Sequence, residues 1–314
     1  MDINELDNGD GTVDRDKLVE YVTQLLNPEF GEEANGLIPF NVQRFNAFSL
    51  GYHHDMMHEA GLWGFKDIQG NIVVEPKFLF MPRVYGDKYI VCVGSGWEHT
   101  DDLLEGRIWS KEQKWGVIDS KQNILIPFEY DELECISDDY EELEEGTLFA
   151  CRTFYREPEF SQTVEIRTDK NICIVPKDIY SDIGYYMVKR QLVFYKDRAR
   201  WADNYSKGYA GVYDFKLGKE IISPNKYREI EIVDYNLFAV SYDIENEDPQ
   251  TLINEYGDII GEVDFWHNVN ATIRNEKYKY EGHARNGKYY LFNIKDAKII
   301  DMIEISEEDH MKLI

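Results

Sequence analysis

Three stretches of the chain carry residue types that could hold a metal ion or a charged partner. In YHHDMMHEAG, His54 and His58 stand four apart with Asp55 and Glu59 beside them, so a helix there would bring two imidazoles to one face, a start toward zinc. His53, His99, His267, His283 and His310 fall in no ligand-like spacing and no H-E-x-x-H occurs, so polar helix surface or core packing is the plainer reading. In LDNGDGTVDRDK, Asn8, Asp10, Thr12 and Asp14 place oxygens at alternate positions around Gly11, the pattern that wraps calcium. The ends of that loop fail, with Leu6 where the first carboxylate belongs and Lys17 where the bidentate one belongs, so the stretch reads as an Asx-rich turn capping a helix. The third stretch, EYDELECISDDYEELEE from Glu129 to Glu145, carries ten acids and no base. Its candidates for meeting a basic partner are Glu129, Asp131, Glu132, Asp138, Asp139, Glu141, Glu142, Glu144 and Glu145, set against a solvated loop or loop-helix.

Known catalytic frames are missing: there is no G-x-x-x-x-G-K-[ST], no G-x-G-x-x-G and no G-x-S-x-G. With 60 acids, some carboxylates fall near one another by chance, so paired carboxylates do not by themselves mark a hydrolase. The expectation is a chain without catalysis and without a cofactor. A balance of 34 Lys+Arg against 60 Asp+Glu gives a formal charge of −26, which repels nucleic acid and anionic lipid and attracts basic proteins. Cys92, Cys135, Cys151 and Cys173 form no C-x-x-C pair and read as reduced core residues. The acidic start MDINELDNGDGTVD has no apolar leader core, and no apolar run of membrane-spanning length occurs, so a cytoplasmic location is expected.

The elements that would position these residues change character along the chain. DRDKLVEYVTQLLN, Asp14 to Asn27, spaces Leu18, Tyr21, Val22, Leu25 and Leu26 for an amphipathic helix that stops before Pro28. PEFGEEANGLIPFNVQRF reads as a connector, and a second short helix is expected over Phe48 to Glu59. From Gly61 onward, short runs of Val, Ile, Tyr and Phe broken by Gly, Asn, Asp and Pro give a strand-and-turn pattern.

Within that pattern WGFKDIQGNIVVEPKF, from Trp63, and WGVIDSKQNILIPFEY, from Trp115, share Trp, Gly, Asp, a turn ending in Asn, an apolar triplet, Pro and a final aromatic. Four eroded copies follow, starting at Thr163, Ala210, Gln250 and Tyr289, and a further β-like run lies between successive hairpins. The third copy is aligned by Asn171 and Pro176, the fourth by Gly211, Asp214, Pro224 and Tyr227, and the fifth by the turn YGD. Each position has a mechanical use: Trp63 and Trp115 as apolar anchors, Gly64 and Gly116 to admit a close neighbour, the turn residues for positive φ, and Pro to end a strand without a donor. The pattern resembles the bacterial WG-repeat proteins. That resemblance implies a β-rich repeat module that mediates interactions, with no catalytic residues common to the family.

The expected architecture is an all-β repeat protein with a short α-helical N-terminal segment. It has about six degenerate three-stranded antiparallel units, propeller-like or solenoid-like. Residues 1–60 are the helical lead-in and connector, 61–305 the repeat domain and 306–314 a tail. Three strands cannot bury their own apolar face, so the units must stack. In a closed ring FNAFSLGY would supply a strand beside IIDMIEI. The expected function is a non-catalytic protein-interaction module, in its sharper form an immunity-type inhibitor of a basic bacterial toxin. The alternatives are a glycan-binding repeat protein using exposed Tyr and Trp, and a hydrolase with paired carboxylates in a central cleft.

Overall fold

The computed structural model describes residues 31–42, 45–48, 57–99, 108–136, 146–155, 161–184, 187–197, 208–242, 250–271, 277–284, 287–296 and 298–312. The helix expected over Asp14 to Asn27 lies outside them. The chain divides into two compact units, one running to Cys135 and including Arg167–Ile172, the other made of Ile136–Ile166 and Cys173 onward.

In the first unit β1 (Leu37–Asn41), β2 (Phe45–Phe48), β3 (Met57–Asp67) and β4 (Ile72–Phe80) build the first sheet. A second, four-stranded sheet takes β5 (Arg83–Tyr85) and β6 (Lys88–Val93), then, beyond the hairpin β7 (Gly96–His99) and β8 (Ile108–Lys111), β9 (Lys114–Asp119) and β10 (Ile124–Tyr130). The β7–β8 hairpin joins the first sheet instead, β8 running parallel to β2 at Phe48 and Trp109. The Trp63 strand is thus lined by β1 and β2 on one side and by β4 on the other.

The chain continues in meanders. β11 (Glu132–Cys135), β12 (Leu148–Tyr155), β13 (Ser161–Thr168) and β14 (Cys173–Tyr180) follow in sheet order. β15 (Asp182–Ile183), β16 (Gln191–Lys196), β17 (Tyr209–Asp214) and β18 (Lys219–Tyr227) form the next sheet. The last is seven-stranded: β19 (Glu229–Asp234), β20 (Leu237–Ser241), β21 (Gln250–Asn254), β22 (Ile259–Ala271), β23 (Tyr280–Ala284), β24 (Tyr289–Lys295) and β25 (Lys298–Ile305). Its long β22 serves two meanders, pairing β21 up to Phe265 and β23 from Phe265 onward. A single turn of helix, α1 (Glu307–His310), is capped by the Ser306 hydroxyl, which accepts from the Asp309 N–H.

Within each unit, cores lie between neighbouring sheets. One gathers Trp63, Phe65 and Phe78 of the first sheet with Tyr89, Val91 and Ile118 of the second. In the second unit Val193, Ala210 and Val212 pack with Ile230, Phe238 and Ile253 of the following sheet. Burying apolar area at roughly 25 cal/mol per Å² is the main force holding neighbours together.

Three expectations change. The described part of the Phe48–Glu59 segment is extended: Phe48 ends β2 and Met57 opens β3, because backbone partners on neighbouring strands override local helix propensity. Each meander has four strands where three were read; the extra one is a short strand beginning within about three residues of the preceding hairpin, as Glu132–Cys135 follows Tyr130. FNAFSLGY does contribute a strand, but Phe45–Phe48 pairs with β3 and β8, whereas Ile299–Ile305 belongs to β25, paired with β24.

Candidate functional site: the Trp-Gly hairpins and the acidic segment

Trp63 is fully buried and Trp115 nearly so, at 6% exposure, which places both indoles in the scaffold and away from solvent. Trp115 stacks on Phe80, centroids 5.6 Å apart, and is covered from another side by the Arg83 guanidinium at 4.9 Å. Arg83 is held there by donating to the Leu133 carbonyl at 2.5 Å. Trp97 meets the Phe80 ring edge-on at 5.3 Å, so rings from three strands and a cation from a fourth form a single cluster.

The glycine after each tryptophan answers to the strand beside it. A Cβ on Gly64 would lie 2.4 Å from the Val74 carbonyl oxygen and 2.9 Å from the Pro76 nitrogen. On Gly116 it would meet the Ile126 oxygen and the Phe128 ring at 2.8 Å; on Gly211, the Ile222 oxygen at 2.5 Å and the Pro224 nitrogen at 2.8 Å. In all three the outer strand breaks register at this point and crosses over the glycine. A proline where the ladder is interrupted costs no hydrogen bond, which explains Pro76 and Pro224.

The turns are closed by one device. Asp67 accepts from the N–H groups of Gln69 (2.9 Å) and Asn71 (2.8 Å) through Oδ1, and from the Asn71 side-chain amide (2.8 Å) through Oδ2. Asp119 does the same with Lys121 and Asn123. The residue before each turn's last member has positive φ, Gly70 at 88° and Gln122 at 67°. The side-chain bond from Asn71 leads in holding the Asp67 carboxyl below its ordinary range, opposed by desolvation and reinforced by backbone N–H groups.

Two eroded copies use the same device with other residues. In the third hairpin Thr168 takes the aspartate's place, its hydroxyl accepting from Lys170 and Ile172 N–H at 3.2 Å. Asn171, at φ 59°, therefore stands where Gly70 does and not where Asn71 does, so the alignment drawn from sequence is one residue out. In the fifth hairpin the pair is exchanged: Asn254 accepts from Tyr256 and Asp258 N–H at 2.9 Å, and donates to the Asp258 carboxylate at 3.2 Å.

Of the acidic candidates, Glu129, Asp131 and Glu132 are described. Glu129 is exposed at the end of β10, while Asp131 and Glu132 are half-buried. Asp131 is occupied internally: its carboxylate pairs with Lys114 at 2.6 Å and its carbonyl accepts from Gln113 at 2.9 Å. Asp138, Asp139, Glu141, Glu142, Glu144 and Glu145 lie outside the described residues, as do Asn8, Asp10, Asp14 and His54. His58 stands in β3, which removes the helical spacing on which the zinc reading rested. Among the described residues no three His, Cys, Asp or Glu side chains converge on a metal position. Burial, with Glu229 adding, pushes the Glu231 carboxyl above its ordinary range. No helix among the described residues is long and apolar enough to cross a membrane.

No curated protein matches the chain. Among solved structures, the β-propeller domain of the Trilobed protease from Pyrococcus furiosus is 10% identical at a TM-score of 0.32, covering 90% of this chain and 98% of that one. An acylaminoacyl peptidase in complex with Z-Gly-Gly-Phe-chloromethyl ketone is also 10% identical at 0.32, covering 92% of this chain and 54% of that one. Neither score supports a conclusion about this chain. Residues 63–97 and 115–140, however, each match the family model of the WG containing repeat, so the chain carries two WG repeats, the segments that begin at Trp63 and Trp115.

Proposed function

We propose that this is a non-catalytic interaction protein that binds a basic protein through its acidic surface, in its sharper form an immunity-type inhibitor of a basic toxin. The observation that carries the reading is the Glu129–Glu145 segment, ten acids without a base, in a chain of formal charge −26. Its position supports the reading: it begins on the last strand of the second Trp-Gly hairpin, where Glu129 is exposed. The Trp-Gly residues are taken up by packing, so recognition falls to what differs between copies. A cytoplasmic location belongs to the same proposal, and the four free thiols are in keeping with it.

The test is affinity capture from native lysate at low ionic strength, with the recovered partner titrated at rising salt. Screening shortens the reach of exposed charges to about 8 Å at physiological ionic strength. A basic partner is expected whose affinity falls at least about tenfold between 50 and 300 mM salt. Neutralising Asp138, Asp139, Glu141, Glu142, Glu144 and Glu145 to their amides is expected to weaken it by a similar factor. Affinity indifferent to both changes would overturn the proposal.

A further inference from the structure

In this strongly acidic chain Lys226 and Arg228 stand on tyrosine rings, and among the described residues neither pairs with a carboxylate. Lys226 Nζ lies 4.8 Å from the Tyr227 ring centre and 5.6 Å from that of Tyr242, and donates to the Tyr227 hydroxyl at 3.1 Å. The Arg228 guanidinium lies 4.2 Å over the Tyr209 ring, and its Nη1 donates to the Gly208 carbonyl at 2.9 Å. Tyr227 and Tyr242 pack against each other with centroids 5.3 Å apart. The chain ends that bring these residues together are fixed by pairing: Ala210 of β17 opposite Tyr227 of β18, and Arg228 N–H donating to the Ser241 carbonyl at 2.8 Å.

The patch faces solvent. Tyr242 is 41% exposed and Lys226 is exposed, whereas Tyr227 is buried and serves as a fixed wall. Glu229 follows directly in sequence but is paired with neither cation. Acids farther away than about 8–10 Å act weakly here, since screening confines exposed charges to that range, while Glu229 and Asp243 adjoin Arg228 and Tyr242 in sequence. Each positive head is thus held against a tyrosine ring, and the exposed Tyr242 ring lies beside Lys226.

We propose that this patch binds a sugar of the uronic acid class, the pyranose face lying on Tyr242 and the carboxylate meeting Lys226 and Arg228. A bare phosphate would use the cations and leave the ring platform idle; a neutral sugar would use the platform and leave the cations idle. A uronate uses both, because charge-assisted bonds and ring stacking come from one small ligand. The proposal is independent of the acidic segment, so either can fail without the other.

The test is calorimetric titration of the full chain with digalacturonate, with lactose, inorganic phosphate and a glutamate-rich peptide as parallel arms. Saturable binding of digalacturonate is expected, and none of lactose. Tyr242→Ala and Lys226→Met are each expected to weaken it at least about threefold, both being at exposed positions that leave the fold intact. Arg228→Lys keeps charge but loses the planar stack over Tyr209, and is expected to weaken binding by a similar factor. Circular dichroism melts confirm that each variant is folded. The proposal is overturned if wild-type chain shows no saturable heat with digalacturonate. It is equally overturned if phosphate binds as tightly and ignores Tyr242→Ala, or if the peptide binds more tightly than the sugar.

Discussion

Gly64 carries the clearest consequence at the scale of single residues. Its own φ is not the constraint; the Val74 carbonyl 2.4 Å from a would-be Cβ is, and that oxygen is backbone. Gly64→Ala should therefore cost about 2–3 kcal/mol in urea unfolding, by forced displacement of the outer strand. Gly70→Ala, where φ is 88° and space is open, should cost about 1–2 kcal/mol, from the left-handed conformation alone. The reverse order would show that close approach is not the reason for the motif's glycine. Asp67 gives a pH prediction whose sign is fixed. A carboxyl held below its ordinary range contributes stability that is present above the unfolded-state value and lost as pH falls through the folded-state value. Asp67→Asn keeps a side-chain acceptor for the turn N–H groups, as Asn254 shows in another copy, and removes the titrating charge together with the second acceptor oxygen. Wild type is expected to lose more stability than Asp67→Asn between pH 6 and pH 3, measured by urea midpoints at both.

Among elements, the hairpin is the unit that recurs, and its tip tolerates several chemistries. Asp67 with Asn71, Thr168 with Ile172, and Asn254 with Asp258 each leave the two backbone N–H groups of the turn satisfied. The exchanged pair predicts that Asn254→Asp with Asp258→Asn, made together, will leave thermal stability within about 1 °C to 3 °C of wild type, a surface change within ±0.5 kcal/mol. Asn254→Ala alone removes the acceptor for Tyr256 and Asp258 N–H and should lower it by more, about 1 kcal/mol. Equal loss in both would mean that the turn owes nothing to its side-chain pair. This tolerance is also why the later copies look worn. Sequence matching placed Asn171 on Asn71 because the residue types agree, whereas the hydrogen bonds and the φ of 59° place it on Gly70.

At the scale of the whole molecule, the cysteines report on folding. Cys92 and Cys151 are buried, Cys135 is half-buried and Cys173 is exposed. Burial pushes the Cys92 thiol well above its ordinary range, so it is protonated and shielded at neutral pH. A thiol reagent should therefore modify Cys173 first, Cys135 more slowly, and Cys92 and Cys151 only as the chain unfolds. Rapid native modification of Cys92, mapped by peptide mass, would contradict the packing around β6. The same scale separates scaffold from surface: Trp63 and Trp115 are buried, whereas Tyr155, Tyr235, Tyr242 and Tyr256 stay exposed.

Local chemistry alone pointed to a series of β hairpins after Gly61, two of them opening on Trp-Gly, because alternation, turn residues and a repeated Pro are properties of a few neighbouring residues. It anticipated the close neighbour at Gly64 and Gly116, but Pro76 and Pro224, read as strand ends, lie inside their strands where the register breaks. Tertiary structure decided what local pattern cannot reach. Segment Leu37–Asn41 became a strand because Asn41 pairs with Trp63 and Leu37 with Asp67, partners more than twenty residues away. Phe48 became extended through Met57 and Trp109 in the same way. The patch of Lys226, Arg228, Tyr209 and Tyr242 exists only because the ends of three strands meet. Strand pairing is satisfied by backbone groups that every residue carries, so its partners are chosen by the packing of whole sheets and leave little trace in side-chain type.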